Sequence, residues 1–375
     1  MKLTVRKSIV IITGVALAII LALKFYPRLT SHVVEIDLLS EAGISDGPYV
    51  FFDNKTTSVQ WISNDSLFKL ESKPSDYIHI GEGVDFKFQP KQLLALNSRP
   101  ENQYDQVDKI ATLSDIHGQY ELYIQLLEAN HIIDAKGNWS YGKGHLVIIG
   151  DAFDRGEKVT ETLWHILKLR QQADKAGGKV HYLLGNHDVM VLNGDLRYIH
   201  DKYKTVAEQT GLSYAQLFAH NSLMGQWLRN CPVVLRINNI IFNHAGLSMA
   251  MVNSGQTIDK INNTFSTSII DNNKDSIRAS EELSLLARSQ GPIWYRGYFR
   301  DTTLTNASID SILHHFNVNH IVVGHTSMEQ VEVLFDKRIL AADTSIKRGE
   351  NGELLIIDNN RFYRAGLDGK KELLW

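Results

Sequence analysis

The chain has 375 residues, 43% hydrophobic and 22% charged, enough to bury a real core in one large domain or two ordinary ones. A formal net charge of −3 leaves no basic footprint, which argues against nucleic acid as a partner. The lone Cys231 excludes an internal disulfide, matches no zinc-ligand spacing, and in CPVVLRI reads as a small buried hydrophobe.

The first segment, residues 1–25, reads as a membrane anchor or signal segment. Lys2, Arg6 and Lys7 precede an apolar run, Ser8–Phe25, that carries no charge until Lys24. No small-x-small cleavage site is evident in LALKFYPRL, so an uncleaved transmembrane anchor is the expectation. The positive start keeps that end cytoplasmic and puts the body on the extracytoplasmic, periplasmic side. The alternative is release to the periplasm after signal cleavage. Residues 26–35 read as a tether. Residues 36–104 read as a β-rich lead-in, with YVFFD and TTSVQWIS set between the turn residues DG, DNK and SND.

From residue 105 to 375 short apolar strands alternate with helices, which predicts an α/β body. IATL, HLVIIG, VHYLLG, IIFNH and HIVVGH are the candidate strands. In VTETLWHILKLRQQADKAGG, Val159, Leu163, Ile166, Leu167 and Arg170 share one helical face, and Gly177 and Gly178 supply the C-cap. Asn238–Asn239 in VVLRINNIIFNH predicts a tight hairpin, so the sheet is expected to be mixed. Residues 255–290, polar and rich in Asn and Ser, read as an excursion over one face.

Each of the five strands runs directly into a polar cluster. IATL leads to SDIHG with Asp115 and His117, and HLVIIG to DAFDRG with Asp151, Asp154 and Arg155. VHYLLG leads to Asn186, His187 and Asp188, IIFN to His244, and HIVVG to His325. In open α/β sheets ligands sit beyond the carboxyl ends of strands, so these clusters are expected to converge. Imidazole, carboxylate and amide oxygen without thiolate suit Mn, Fe or Zn. Asp151 can bridge two ions, and a pair roughly 3.5–4 Å apart activates water and clamps a phosphoryl group in line. Arg155 offers a planar fork for phosphate oxygens.

These motifs resemble the calcineurin-like metallophosphoesterase superfamily, and more narrowly the phosphoprotein phosphatase family. That family reads G-D-x-H-G, G-D-x-x-D-R-G, G-N-H-E, H-G-G and a later His. Here Ser114 replaces the first Gly, Asp188 the Glu, and Ala245 the first Gly after His244. LLGNHDVMVLNGDLRY and GPIWYRG resemble the Shewanella-like bacterial branch. Ser327 after GHT leaves one late histidine where generic superfamily members have two.

The resemblance covers roughly residues 108–350 and implies a four-layer α/β/β/α sandwich with mixed sheets. It implies two divalent ions, manganese favoured. One would take Asp115, His117 and Asp151; the other Asp151, Asn186, His244 and His325. His187 would be the general acid, oriented by Asp154, and Arg155 and Arg296 would hold the phosphate. Asp188 reads as support for the ligands and Asp343, in AADTS, as another such residue; Tyr198 and His200 are candidates to line the substrate groove. The expected reaction is phosphomonoester hydrolysis by direct attack of a metal-bridging hydroxide, with phosphoprotein substrates (Tyr or Ser/Thr) in view. The rivals are a phosphodiesterase or nucleotidase on the same scaffold, and a non-catalytic membrane-tethered binding module.

Overall fold

A computed structural model describes residues 33–375 apart from 39–42, 54–55, 82 and 97–98. The expected anchor, residues 1–25, and residues 26–32 of the tether lie outside the described residues. Among the described residues no helix is long and apolar enough to cross a membrane.

The chain begins with β1 (Val33–Ile36), β2 (Asp46–Asp53), β3 (Thr56–Ser63), β4 (Ser66–Ser72), β5 (Tyr77–Ile80) and β6 (Phe86–Phe88). β2, β3 and β4 form an antiparallel meander, while β5 pairs parallel with β1 and antiparallel with β6. Both small sheets pack on the helix Val159–Ala176. Phe88 stacks on Trp164 with ring centroids 4.8 Å apart, Trp164 Nε1 donates to Pro48 O at 3.1 Å, and buried Lys168 donates to Val84 O at 2.8 Å. The periodicity of that helix predicts a single apolar face. Instead it is buried nearly all round, His165 and Lys168 included, because the small sheets cover the side turned away from the main body. Gly177 ends it in the left-handed region, with φ +78°, as its C-cap position predicts.

The main body holds β7 (Gln103–Tyr104), β8 (Lys109–Leu113), β9 (His145–Ile148), β10 (Lys179–Tyr182), β11 (Val234–Ile237) and β12 (Ile240–Asn243). β13 (His320–Val323), β14 (Glu332–Leu334), β15 (Ile339–Ala341), β16 (Leu354–Asp358), β17 (Arg361–Ala365) and β18 (Lys371–Leu373) complete it. One sheet runs β10-β9-β8-β16-β17-β18 and the other β14-β15-β13-β12-β11-β7. Both are mixed: β8, β9 and β10 are parallel neighbours, β12 and β13 likewise, while β16 and β11 pair antiparallel with β8 and β12. Asn238, at φ +53°, makes the expected β11–β12 hairpin.

Side chains alternate along each strand, and both faces are buried, which is why these strands read as unbroken apolar runs. Ile110, Val147, Phe242, Val322, Leu340 and Leu355 form a core between the two sheets. Leu146, Ile148, Ile321 and Val323 join a larger outer core with the helices Tyr120–Ala129, Val159–Ala176 and Asn306–Phe316. The result is a mixed α/β sandwich of helices, sheet, sheet and helices. Its consequence for function is an edge where β8, β9, β10, β12 and β13 all end.

Candidate active site

The turns leaving those strands are strained. Asp115 (φ +55°), His117 (+48°), Asp151 (+57°), Asp154 (+70°), Arg155 (+68°) and His325 (+65°) all sit in the left-handed region that non-glycine residues avoid. Two glycines let the turns approach. A Cβ on Gly185 would lie 2.1 Å from Asp151 Oδ1, and one on Gly324 would lie 1.9 Å from Ser114 Oγ. The serine in the first motif is therefore accommodated by the glycine of GHT, and its hydroxyl sits 2.6 Å from Asp115 Oδ2.

Asp115, His117, Asp151, Asn186, His244 and His325, the six expected ligands, come together here. His117 Nδ1 donates to Phe153 O at 2.6 Å and His244 Nδ1 to Ile149 O at 2.7 Å, which turns both Nε2 atoms inward. Asp151 Oδ2 lies 3.2 Å from His244 Nε2 and 3.7 Å from His117 Nε2. Asn186 Oδ1 is 3.0 Å from His244 Nε2. Asp115 Oδ2 accepts from His325 N at 2.9 Å, leaving Oδ1 facing His117 Nε2 at 3.8 Å. Asp151, His244 and His325 form one convergent donor group, and His117, Asp151 and His187 another.

This donor set fits divalent cations. His117 Nε2 and His325 Nε2 are buried and have no hydrogen-bond partner. Burial, with the charges of His244 and Arg296 adding, pushes His325 down to about 2, and burial likewise holds His117 well below the usual imidazole range. Burial raises Asp151, but the imidazoles of His244, His187 and His117 outweigh it and keep the carboxylate ionised. His117 and His325 are thus held neutral beside an ionised Asp151, as metal ligation requires; burial lowers His244, but Asp151 and Asp115 outweigh it and raise it to about 9, so this imidazole gives up its proton when a cation takes its place.

Beside this cluster His187 Nδ1 lies 2.6 Å from Asp154 Oδ2, and His187 Nε2 lies 3.2 Å from Arg155 Nη2. His187 N also donates to Asp151 Oδ1 at 2.9 Å, so the bridging candidate and the imidazole share one backbone anchor. Burial lowers the His187 pKa, but Asp151 and Asp154 together raise it above the ordinary value.

Residues 108–328, more than half of the chain, match the family described as calcineurin-like phosphoesterase. The chain belongs to that family. It is similar to the cold-active protein-tyrosine phosphatase of a psychrophilic Shewanella species, with 40% identity, a TM-score of 0.83, and coverage of 88% of this chain and 100% of that one. It is 28% identical over 259 residues to an uncharacterized protein of Schizosaccharomyces pombe, covering 66% of this chain and 76% of the relative. It is also 28% identical over 242 residues to Shewanella-like protein phosphatase 1 of Plasmodium berghei, covering 62% of this chain and 65% of that protein. The protein is a hydrolase of phosphoesters in a family that works with divalent metals.

The phosphoesterase cleft over the cluster has a volume of about 220 Å³. Arg155, Arg296, Tyr198, Trp294 and Lys347 line it together with the ligand cluster. Arg296 is held by donating to His325 O at 3.0 Å and Thr326 Oγ1 at 2.9 Å, which aligns IWYRG with the late-histidine turn. Asp188 points away from the cleft and accepts from Asp151 N at 2.9 Å, Gly185 N at 2.7 Å and Tyr182 OH at 2.9 Å, so it fixes the Asp151 turn. Tyr198 is in the cleft wall, but His200 is not. Its Nδ1 accepts from Lys202 N at 3.2 Å and caps the helix Asp201–Thr210, a local use that its nearness to GDLRY disguises.

Lys347 has no place in the sequence reading, and Trp294 enters it only within GPIWYRG, with no role of its own. Lys347 Nζ lies 3.1 Å from Asp343 Oδ2 and 3.8 Å from Asp115 Oδ1, and fully buried Asp343 also accepts from Ser327 Oγ at 2.8 Å. The only local signal was a lysine four residues after an acid that follows an apolar strand, a pattern shared by ordinary surface lysines.

Proposed function

We propose that this phosphoesterase is a metal-dependent phosphatase that hydrolyses phosphomonoesters, with phosphoprotein side chains, phosphotyrosine foremost, as substrates. The observation that carries the reading is His187: anchored by Asp154 at 2.6 Å, it presents Nε2 to a cleft that also holds two arginines and a lysine. Two guanidinium forks on one phosphate suit a dianionic monoester better than a monoanionic diester. The protein-tyrosine phosphatase named above, 40% identical, supports the choice of substrate.

Asp115, His117 and Asp151 hold one divalent ion, and Asp151, Asn186, His244 and His325 the other, with manganese suited to this oxygen and imidazole set. When bound, such a pair supplies a hydroxide nucleophile at neutral pH and offsets charge on the phosphoryl oxygens. Arg155 and Arg296, in the cleft wall, grip and orient the phosphate. Asp154 fixes the His187 ring so that its Nε2 proton passes to the departing alkoxide or phenoxide. Residues 1–25 anchor the protein, with residues 105–375 as the catalytic body on the periplasmic side; the charged start and apolar run support this. Carbonate-resistant membrane pelleting of the full chain tests the anchor, and recovery in the soluble fraction would overturn it.

The function is tested on protein stripped of metal and resupplied with manganese, comparing p-nitrophenyl phosphate with its bis-ester and a phosphotyrosine peptide. Metal-dependent turnover of the two monoesters with little on the bis-ester is the expected result. Preference for the bis-ester would make the protein a phosphodiesterase; bound metal without any turnover would make it a binding module.

A further inference from the structure

A second, larger groove adjoins the catalytic cleft. Its volume is about 380 Å³, and Asn186 and Trp294 line both it and the cleft, so the two lie side by side. Its floor is apolar, built from Val189, Met190, Ile269, Ile277 and Ile293. Its rim is basic. Arg197, Lys274, Arg278 and Arg288 face one carboxylate, Asp195, so four positive charges less one negative leave +3 in a chain whose net charge is −3.

Most of that charge is uncommitted. Asp195 is taken by Arg197 at 2.7 Å. The Arg278 partner, Asp275, is 3.8 Å away and almost fully exposed, a pair worth little in water. Among the described residues neither Lys274 nor Arg288 forms a salt bridge. The wall is nevertheless fixed in place. Asn193, which caps the helix carrying Asn186 and His187, donates to Ile269 O at 3.0 Å and accepts from Asp271 N at 2.6 Å. Arg229 then clamps Asp271 with two bonds of 2.8 and 2.6 Å. The 255–290 excursion is thus pinned to the helix that bears the proposed general acid.

We infer that this groove is a substrate-selectivity site that takes the acidic, aliphatic-containing peptide segment flanking the phosphorylated residue. The inference rests on the phosphomonoesterase reading above. The apolar floor takes an aliphatic side chain, the cationic rim takes Asp or Glu side chains, and the shared walls Asn186 and Trp294 place both beside the phosphate. Small aryl phosphates reach the cleft without touching the groove. Charge on an exposed rim acts mainly on encounter rate and choice of partner, so the effect belongs in kcat/KM and weakens with salt.

The test uses the manganese-loaded protein and three phosphotyrosine peptides whose flanks carry Asp and Leu, Gln and Leu, or Lys and Leu, with p-nitrophenyl phosphate as control. The acidic peptide should exceed the lysine peptide by about tenfold or more in kcat/KM, and the advantage should shrink as salt is raised. R278E/R288E should erase or invert that order while leaving p-nitrophenyl phosphate turnover unchanged, and the milder R278Q/R288Q should fall between. Fluorescence anisotropy with a non-hydrolysable phosphonate version of the acidic peptide reads the groove without turnover. No flank preference in the wild type would overturn the inference, as would equal loss of peptide and control turnover in R278E/R288E. A single-stranded oligonucleotide that displaces the phosphonate peptide better than the unlabelled acidic peptide does would also overturn it. Failure on every phosphomonoester with acidic-peptide binding intact would remove the phosphatase reading and keep the groove.

Discussion

The strand-end cradle and the groove wall beside it are built in opposite ways. In the cradle Asp115, His117, Asp151 and His244 are at most 1% exposed, several carry left-handed backbones, and Gly185 and Gly324 leave room for their turns to close on one another. In the wall Lys274, Arg278 and Arg288 stand exposed on or beside short helices started by the Asn273 and Ser280 side-chain caps. Each cradle residue serves its neighbours: Asp151 touches His117, His187 and His244. Changes there should couple strongly, whereas changes in the wall should act almost independently. The difference assigns the reaction to the cradle and the choice of substrate to the wall.

Three substitutions probe that division, in decreasing order of expected effect. Asp151→Asn removes the carboxylate common to both donor groups, so elemental analysis should show lost metal together with lost turnover. Full metal retention would mean that Asp151 is not shared between the ions. His187→Asn should slow turnover by about 10²–10⁴ with metal content unchanged, the usual worth of a general acid. Because His187 also belongs to a convergent donor group with His117 and Asp151, metal loss in this variant would make it a ligand instead. Lys347→Gln should lower kcat by about 10- to 100-fold, in the range of residues that orient metal ligands, since its ammonium is the cation nearest Asp343 and Asp115. A change confined to KM would place Lys347 on the substrate instead.

The same contrast decides what the sequence could reveal. Cradle residues follow strands buried on both faces, so each apolar run stops sharply at a polar ligand, and IATL-SDIHG or HLVIIG-DAFDRG is readable by eye. Lys347 follows no such boundary, and Trp294 lies in a loop whose pattern does not distinguish a cleft wall from a surface turn. The helix Val159–Ala176 shows only one face by periodicity, because its second covering comes from strands more than 70 residues earlier in the chain. β16 is hidden from local pattern for a related reason. LLIID is too short a run to announce that it lies antiparallel to β8 at the centre of a sheet, a pairing between chain segments more than 240 residues apart. Local pattern carries what is local, and the groove wall is assembled from distant pieces.

A third region, far from both cleft and groove, sharpens the comparison with an effect on stability alone. His145 begins β9 and His181 is the third residue of the adjacent β10, with His181 Nε2 and His145 Nδ1 3.0 Å apart, and the Tyr104 ring stands edge-on to both. Burial pushes His145 down to about 4, helped by Lys179. Burial also holds His181 well below the usual range, with His145, Lys179 and Arg170 adding to the effect. In the unfolded chain these imidazoles take up protons near pH 6.5, whereas in the folded protein His145 stays neutral until about pH 4 and His181 titrates well below its usual range. Between those values the unfolded state binds more protons, so stability present above pH 6.5 is lost as the pH falls toward 4. Each such histidine contributes at most about 1.4 kcal/mol per pH unit across that window. His181→Gln keeps a donor for His145 Nδ1 and removes one of the titrating groups. Its thermal midpoint should therefore fall less steeply than the wild type's between pH 7 and pH 4.5. Metal loss on acidification affects both proteins alike, so the difference in slope isolates the histidine. Parallel slopes would show that His181 is protonated in the folded protein as readily as in the unfolded chain.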